Sequence, residues 1–425
     1  MTGQGETTTP TVVLIGGRTP REFAVLRELG YRILYLDRQV PLHCMAWVDA
    51  PFDVDVDDWD LVTKVVSEYL DGTPPAAVLT HVEPRIPLMA HLAEHLLAAP
   101  RGLTVHAAWN CRDKWLTRTR LHEAGLPVPG FGRAHDAAQA AEIATAIGLP
   151  VIVKPRDGAG GFGVRRCDTA AQVRDAAADL LDDPGPGSLA GVQIEEYIDG
   201  PEYAVQTLTR SGHTEVLSVF RQHMTEPPVF VELGYEHPSD LEDADLAALT
   251  ELVTSALAAL GVDDWISHTQ VRRSPGGFRI IEVNARRPGG RLVEMTAAVS
   301  GVDMIQAVTQ LALGIPVTIG QPSATHALYT SIVFDRPGIV SFDQGADTGG
   351  TAPAIVEFDI APGEPVLPVD HREGGVYGRI VVFGDSADRV RQDERRIRQA
   401  LDLRVQTPED PDRLDADSRE FKSCC

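Results

Sequence analysis

Three short stretches of this chain carry residue types that can handle a phosphorylated nucleotide. The first is VIVKPRDGAGGFGV, residues 151–164. Apolar positions lead to Lys154, and glycines follow at 158, 160, 161 and 163. Backbone N–H groups with no side chain beside them can approach phosphate oxygens, and a lysine on the adjoining strand adds a point charge. The second is QIEEYIDGPEYAV, residues 193–205, where Glu195 and Glu202 flank a Gly-Pro turn. A carboxylate can accept from an adenine amino group or from ribose hydroxyls. The third is RIIEVNARRPGG, residues 279–290. Glu282 and Asn284 are two apart on a predicted strand and so share a face. Two oxygen donors there suit Mg²⁺, which shares its shell with phosphate and water. Arg286 points the same way.

The glycine stretch literally contains G-x-G-x-x-G, but its context excludes the familiar motifs. A dinucleotide fingerprint opens a helix, whereas these glycines lead into VRRC. A P-loop places its lysine after the glycines, followed by Ser or Thr; here Lys154 precedes them. The lysine of a kinase glycine loop also follows the glycines. What remains is a phosphate cradle in a hairpin, with the lysine on its first strand.

The elements that must position these residues follow from periodicity. TVVLIGG (11–17), a helical REFAVLRELG (21–30) and YRILYLD (31–37) form a parallel β-α-β unit. PAAVLTHVEP (75–84) is a further strand, and HLAEHLLAAP (91–100) a helix. Residues 111–125 are helical, and LPVPGF (126–131) is a hinge. Helices are expected at 137–150, 169–181, 245–261, 304–314 and 386–401. Residues 192–220 read as strands around a tight turn, and 265–290 as a β-hairpin.

Bulk properties limit the partners. The chain has 425 residues, enough for about two to four domains or subdomains. A net charge of −23 argues against sequence-independent nucleic-acid binding. The five cysteines are dispersed and include no CxxC pair, which argues against a zinc site. No apolar run has signal-peptide or membrane-spanning length, so a cytoplasmic protein without membrane contact is expected.

In this order, the segments resemble the ATP-grasp superfamily, and most closely its carboxylate–amine ligases, which include the L-amino acid ligases. The resemblance is specific over roughly residues 105–315. It implies an α/β, ATP-grasp fold: an N-terminal Rossmann-like domain (1–108), an ATP-grasp domain (109–318) with its lid at about 127–200, and a C-terminal, β-rich α/β subdomain (319–410). An acidic tail (411–425) is expected to be disordered. By the same resemblance, Glu195, Glu196 and Ile198 meet adenine and Glu202 the ribose. Lys114 and Lys154, under Gly160 and Gly161, reach the ATP phosphates. Glu282 and Asn284 hold Mg²⁺, with Mn²⁺ as an alternative. The family usually has an acid where this chain has Gln270, which offers a neutral oxygen to the metal. Arg286 and Gly289 meet the substrate, and ELGYEHPSDL (232–241) resembles a substrate loop with His237 near the acceptor.

The implied reaction is ATP-dependent amide formation through an acyl phosphate, from small-molecule carboxylate and amine substrates. It would join two amino acids, or a small carboxylic acid and an amino acid, and a homodimer fits the family. Two other readings keep the fold: a carboxylase-type enzyme of nucleotide biosynthesis, and a non-catalytic ATP-binding protein, which Gln270 motivates. A Rossmann oxidoreductase using TVVLIGG and Asp37 leaves the later motifs unexplained.

Overall fold

The computed structural model describes residues 9–158, 161, 163–183, 189–227, 230–343, 345, 353–369 and 375–406. Gly160, part of the 182–191 loop and the 411–425 tail therefore lie outside the described residues.

The N-terminal β-α-β unit forms as expected: Thr11–Ile15, the helix Pro20–Glu28, and Arg32–Asp37. These strands lie in a four-stranded parallel sheet with Ala50–Asp53 and Ala77–Leu79 at its edges. Val12 to Ile15 are fully buried, because a parallel sheet is covered on both faces. The helix expected at 91–100 runs instead from Ile86 to Leu96. Pro87, near its start, is compatible with a first helical turn.

A second sheet orders Phe131–Ala134, Val192–Glu196, Val151–Pro155 and Arg165–Cys167. All its pairings are antiparallel, so the glycine stretch joins two strands of a hairpin. Alternation divides its residues between two faces. Val151, Val153, Val192 and Ile194 pack under the helices Ala137–Ile147 and Ala170–Asp182. Burying each such side chain stabilises by about 1.5–3 kcal/mol. The alternate residues, Ile152, Lys154 and Glu195, line the cleft on the other face.

The main sheet has eight antiparallel strands. In spatial order they are Gly277–Asn284, Trp265–Ser274, Glu202–Arg210, His213–Met224, Glu232–His237, His326–Ser331, Gly378–Gly384 and Ala354–Phe358. Strands from beyond residue 319 thus continue the sheet that carries the third motif. A small sheet of Pro365–Val366, Gly338–Ser341 and Arg404–Gln406 lies beside them.

Three expectations need correction. The strands read over 192–220 are split between sheets: Val192–Glu196 belongs to the four-stranded antiparallel sheet and Glu202–Arg210 to the main sheet. The tight turn is at Ser211-Gly212, both at positive φ. The helical run at 111–125 is broken at Asp113, which ends one helix (Val105–Arg112) and caps the next (Lys114–Glu123) by accepting from Trp115 N–H. ELGYEH is a strand, not a loop; it pairs with His213–Met224 on one side and His326–Ser331 on the other.

Candidate active site

A cleft of about 390 Å³ lies between the four-stranded antiparallel sheet and the main sheet. Lys114, Lys154, Gly161, Glu195, Glu196 and Ile198 line it, as do Glu202, Gln270, Glu282, Asn284, Arg286 and Gly289. His237 is not among its lining residues. It follows Tyr235 on the same strand, where its Nδ1 donates to the Val219 carbonyl at 3.0 Å and its ring rests 5.4 Å from Phe220. Burial holds its pKa below the ordinary histidine value. His237 is half-buried and held by the Val219 carbonyl and the Phe220 ring rather than turned to the cleft.

Helix geometry places the two positive groups at the base of the cleft. The break at Asp113 puts Lys114 on the first turn of its helix, with Arg118 four residues on and on the same face. Lys114 Nζ reaches Glu282 Oε1 at 2.9 Å and the Gly158 carbonyl at 3.1 Å. Arg118 is 1% exposed. Its Nε meets Glu195 Oε1 at 2.8 Å, and Nη2 donates to Glu195 Oε2 at 3.0 Å and to the Ile281 carbonyl at 2.6 Å. Lys154 Nζ donates to Glu195 Oε2 at 2.7 Å, and Gln193 donates to Oε1 at 2.6 Å. Burial opposes ionisation of Glu195, but Arg118 and Lys154 outweigh it and hold the carboxyl at about 2. Burial also lowers the Lys154 ammonium; with Arg118 and Lys114 nearby, it falls to about 8 against the pull of Glu195.

The base of the glycine hairpin is bolted to the same helices. Arg112 pairs with Asp157 at 3.2 Å and Arg156 pairs with Asp113. Lys114 N–H donates to the Arg156 carbonyl at 2.9 Å. The segment 112–114 therefore faces 156–158 with its charges exchanged.

On the main sheet, Gln270 is the cross-strand partner of Glu282, and His268 of Asn284. Next to this pair the register shifts: Val271 pairs with Ile280, leaving Ile281 as an extra residue. The bulge lets Ile281 and Glu282 both face the cleft while Ile280 and Val283 enter the core. Burial resists the Glu282 charge, but Lys114 overrides it and holds the carboxyl at about 2. Gln270 Nε2 donates to Glu202 Oε1 and to Gln222 Oε1, both at 3.2 Å. A carboxylate only accepts, so the amide nitrogen must face Glu202, and the amide oxygen is left for other partners. Glu202 also pairs with Arg272 at 2.8 Å, and Arg272 reaches the Ile198 carbonyl at 2.9 Å.

One carboxylate and two amide oxygens form a hard donor set. They fit Mg²⁺ or Mn²⁺ arriving with phosphate oxygens rather than a metal held by protein alone. In keeping with this, no group of three His, Cys, Asp or Glu among the described residues could hold a metal. Arg286 Nε donates to Glu83 at 2.7 Å, and Arg287 binds the fully buried Glu22.

Sequence reasoning missed Arg118, Glu83 and Arg272. The Lys-x-x-x-Arg spacing of Lys114 and Arg118 was an available signal for the first. The others depend on strand pairings and contacts far apart in sequence.

Residues 147–294 match the model of the ATP-grasp domain. The D-alanine–D-alanine ligase of Alcanivorax borkumensis is 31% identical over 234 residues, covering 52% of this chain and 70% of that protein. The chain belongs to the ATP-grasp family. The crystal structure of an L-amino acid ligase from Bacillus licheniformis superposes with a TM-score of 0.77 at 25% identity, covering 94% of this chain and 99% of that one. An uncharacterised protein of Sinorhizobium fredii, y4rH, is 29% identical over 273 residues, or 64% of this chain. The alignment spans 55% of that relative's length. The expected ATP-grasp fold and family are both met. No helix among the described residues is long and apolar enough to cross a membrane.

Proposed function

We propose that this ATP-grasp chain is an ATP-dependent ligase that joins a carboxylate to an amine. One observation carries the reading: Lys114, Lys154, the Glu282–Asn284 pair and Arg286 all line one cleft beneath the glycine hairpin. In this reading adenine lies against Ile152, Ile198 and Ile281, beside Glu195 and Glu196, and Glu202 receives the ribose hydroxyls. Lys114 and Lys154 leave their carboxylate partners to meet the triphosphate. Glu282, Asn284 and the Gln270 oxygen would hold Mg²⁺, which supplies charge neutralisation at the transferring phosphoryl group. Arg286 and the Gly289 backbone orient the substrate carboxylate.

The carboxylate attacks the γ-phosphorus, the bond to the β,γ-bridging oxygen breaks, and ADP leaves. The amine then attacks the acyl carbon, loses a proton, and expels phosphate. These steps need positioning and charge stabilisation rather than a protein nucleophile. The buried Cys111 thiol supports no such role: burial raises it to about 12. The cleft must exclude water, because water also attacks an acyl phosphate. A lid at about 127–200, within an ATP-grasp domain at 109–318, is part of the proposal.

The test is ADP release with Mg²⁺-ATP across pairs of amino acids and small carboxylates. The expected result is release that requires one pair, with a product mass equal to both substrates less water. ATP binding without release for every pair would overturn the reading in favour of a non-catalytic protein. The reading includes a cytoplasmic setting, which the free thiols of Cys44, Cys111 and Cys167 fit. It also includes a homodimer, to be tested by light scattering.

A further inference from the structure

Arg286 and Arg287 follow one another in the bend after Asn284, and the two make matching contacts. Arg286 Nε meets Glu83 Oε2 at 2.7 Å, while its Nη1 donates to the Arg287 carbonyl at 2.9 Å. Arg287 Nε and Nη2 both meet Glu22 Oε1, at 3.0 and 2.6 Å, while its Nη1 donates to the Pro288 carbonyl at 3.2 Å. Each guanidinium thus holds the backbone one residue ahead of it. With another nitrogen it grips an acid from the elements around the N-terminal parallel sheet. Arg286, Gly289 and Gly290 line the cleft, and Arg287 does not.

Glu22 is arranged to take one cation. Its carboxylate is fully buried in the first turn of the helix Pro20–Glu28. Oε2 accepts from the Arg18 and Thr19 N–H groups at 2.7 and 3.2 Å. Oε1 is left for Arg287, the one cation that pairs with Glu22 among the described residues. A buried carboxylate stripped of its only cation is costly. The same helix also holds the far end of the segment. Val25 packs with Val293 and Ile305, and Val293 lies in the first turn of Leu292–Ser300, the helix that follows the segment. Arg21 reaches Asp303, the N-cap of the next helix, at 3.0 Å. The helix Pro20–Glu28 therefore brackets residues 287–293, with an ion pair at one end and an apolar contact at the other.

We infer that Glu22 and Arg287 are positioning residues for acyl transfer. They fix the backbone of Arg287 and Pro288, and through it the Arg286 guanidinium and the Gly289 backbone, before substrate arrives. This rests on the ligase reading above, which puts the substrate carboxylate on Arg286 and Gly289. Arg286 donates to the carbonyl of Arg287, so loosening the Glu22–Arg287 pair shifts a group on which Arg286 rests. A misplacement of about 1 Å can cost about 100-fold in rate. Neither Glu22 nor Arg287 touches substrate; both act through their neighbours.

The experiment joins hydrogen–deuterium exchange to kinetics on the full chain, with Glu22→Gln, Arg287→Met and Arg287→Lys. Gln keeps the size of Glu22 but offers one acceptor oxygen to two sets of donors. Ligand-free wild type should exchange slowly over residues 286–292. Glu22→Gln and Arg287→Met should speed exchange there by about tenfold or more, with residues 193–205 unchanged. With the substrate pair that releases ADP, both variants should raise KM for the carboxylate-bearing substrate by about tenfold or more. Affinity for a non-hydrolysable ATP analogue should stay unchanged. Arg287→Lys keeps the charge without the fork and should recover part of both losses. Unchanged exchange over 286–292, lower thermal stability with an unchanged KM, or an equal loss of ATP affinity overturns the proposal. If the variants do not fold, wild type decides: fast exchange over 286–292 in the ligand-free chain overturns it. Absence of ADP release from every pair in wild type overturns the ligase reading alone, and exchange still decides whether Glu22 and Arg287 fix the segment.

Discussion

Lys154 Nζ lies 2.7 Å from Glu195 Oε2, and both side chains are buried. The lysine expected to meet phosphates thus rests on the acid expected to meet adenine. Its ammonium is held at about 8, below the ordinary lysine value, chiefly by burial. In the free protein Lys154 loses its proton as pH rises through about 8, whereas a bound triphosphate favours the charged form. ATP affinity should therefore fall above pH 8, by at most about tenfold per pH unit. Calorimetry from pH 7 to about 9.5 checks this, with Lys154→Arg as the control that should stay flat. A flat wild-type profile sinks the idea.

Arg118 links Glu195 on the four-stranded antiparallel sheet to the bulge carbonyl of Ile281 on the main sheet. Arg118→Met leaves a buried carboxylate under-compensated, so stability should fall by about 3–5 kcal/mol. Arg118→Lys should cost less. Urea unfolding measures both. Glu195 is held at about 2, below its unfolded value of 4.5. Its contribution is therefore full above about 4.5 and lost as pH falls toward 2. Glu195→Gln should flatten the stability profile in that window.

Gln270 donates to Glu202 at 3.2 Å, so Gln270→Glu would set two carboxylates side by side. ATP affinity without metal should drop, and Mn²⁺ affinity in the presence of nucleotide should rise, as read by electron paramagnetic resonance. Glu282→Gln should lower ADP release by about 100-fold or more. Unchanged Mn²⁺ binding in both variants would remove Gln270 and Glu282 from the metal site.

Gly200 precedes Pro201 and Glu202 with φ at +131°, and a Cβ there would stand 2.0 Å from the Arg273 carbonyl oxygen. Gly200→Ala should destabilise by about 1–3 kcal/mol and raise the KM for ATP by displacing Glu202. Thermal unfolding and initial rates check both effects. Retention of both values would mean that the turn relaxes without moving Glu202.

Local signals carried much of this site. Lys154 and Glu195 were legible because strand alternation separates them from Val151, Val153, Val192 and Ile194 in the core beneath that sheet. Glu282 and Asn284 were legible for the same reason. His237 does not line the cleft, because a motif resemblance does not state which part of a strand reaches it. The break at Asp113 was hidden inside a continuous helical pattern, since an aspartate that accepts from Trp115 N–H looks like any charged helix residue. The pairing of Arg286 with Glu83 joins the bend after Asn284 to a 3-10 turn 203 residues earlier, and no periodicity encodes it.

Residues 197–201 are the only peptide between the strand ending at Glu196, in one sheet, and the strand starting at Glu202, in the other. An adenosine gripped by Glu195 on one side and Glu202 on the other would span the same gap as a second, removable crosslink. Nucleotide occupancy would then tie the two sheets together mechanically. With the hairpin base already pinned by Arg112–Asp157 and Asp113–Arg156, little freedom would remain along it. Loading this cleft would stiffen the molecule along one seam, and product release would depend on how quickly that seam loosens.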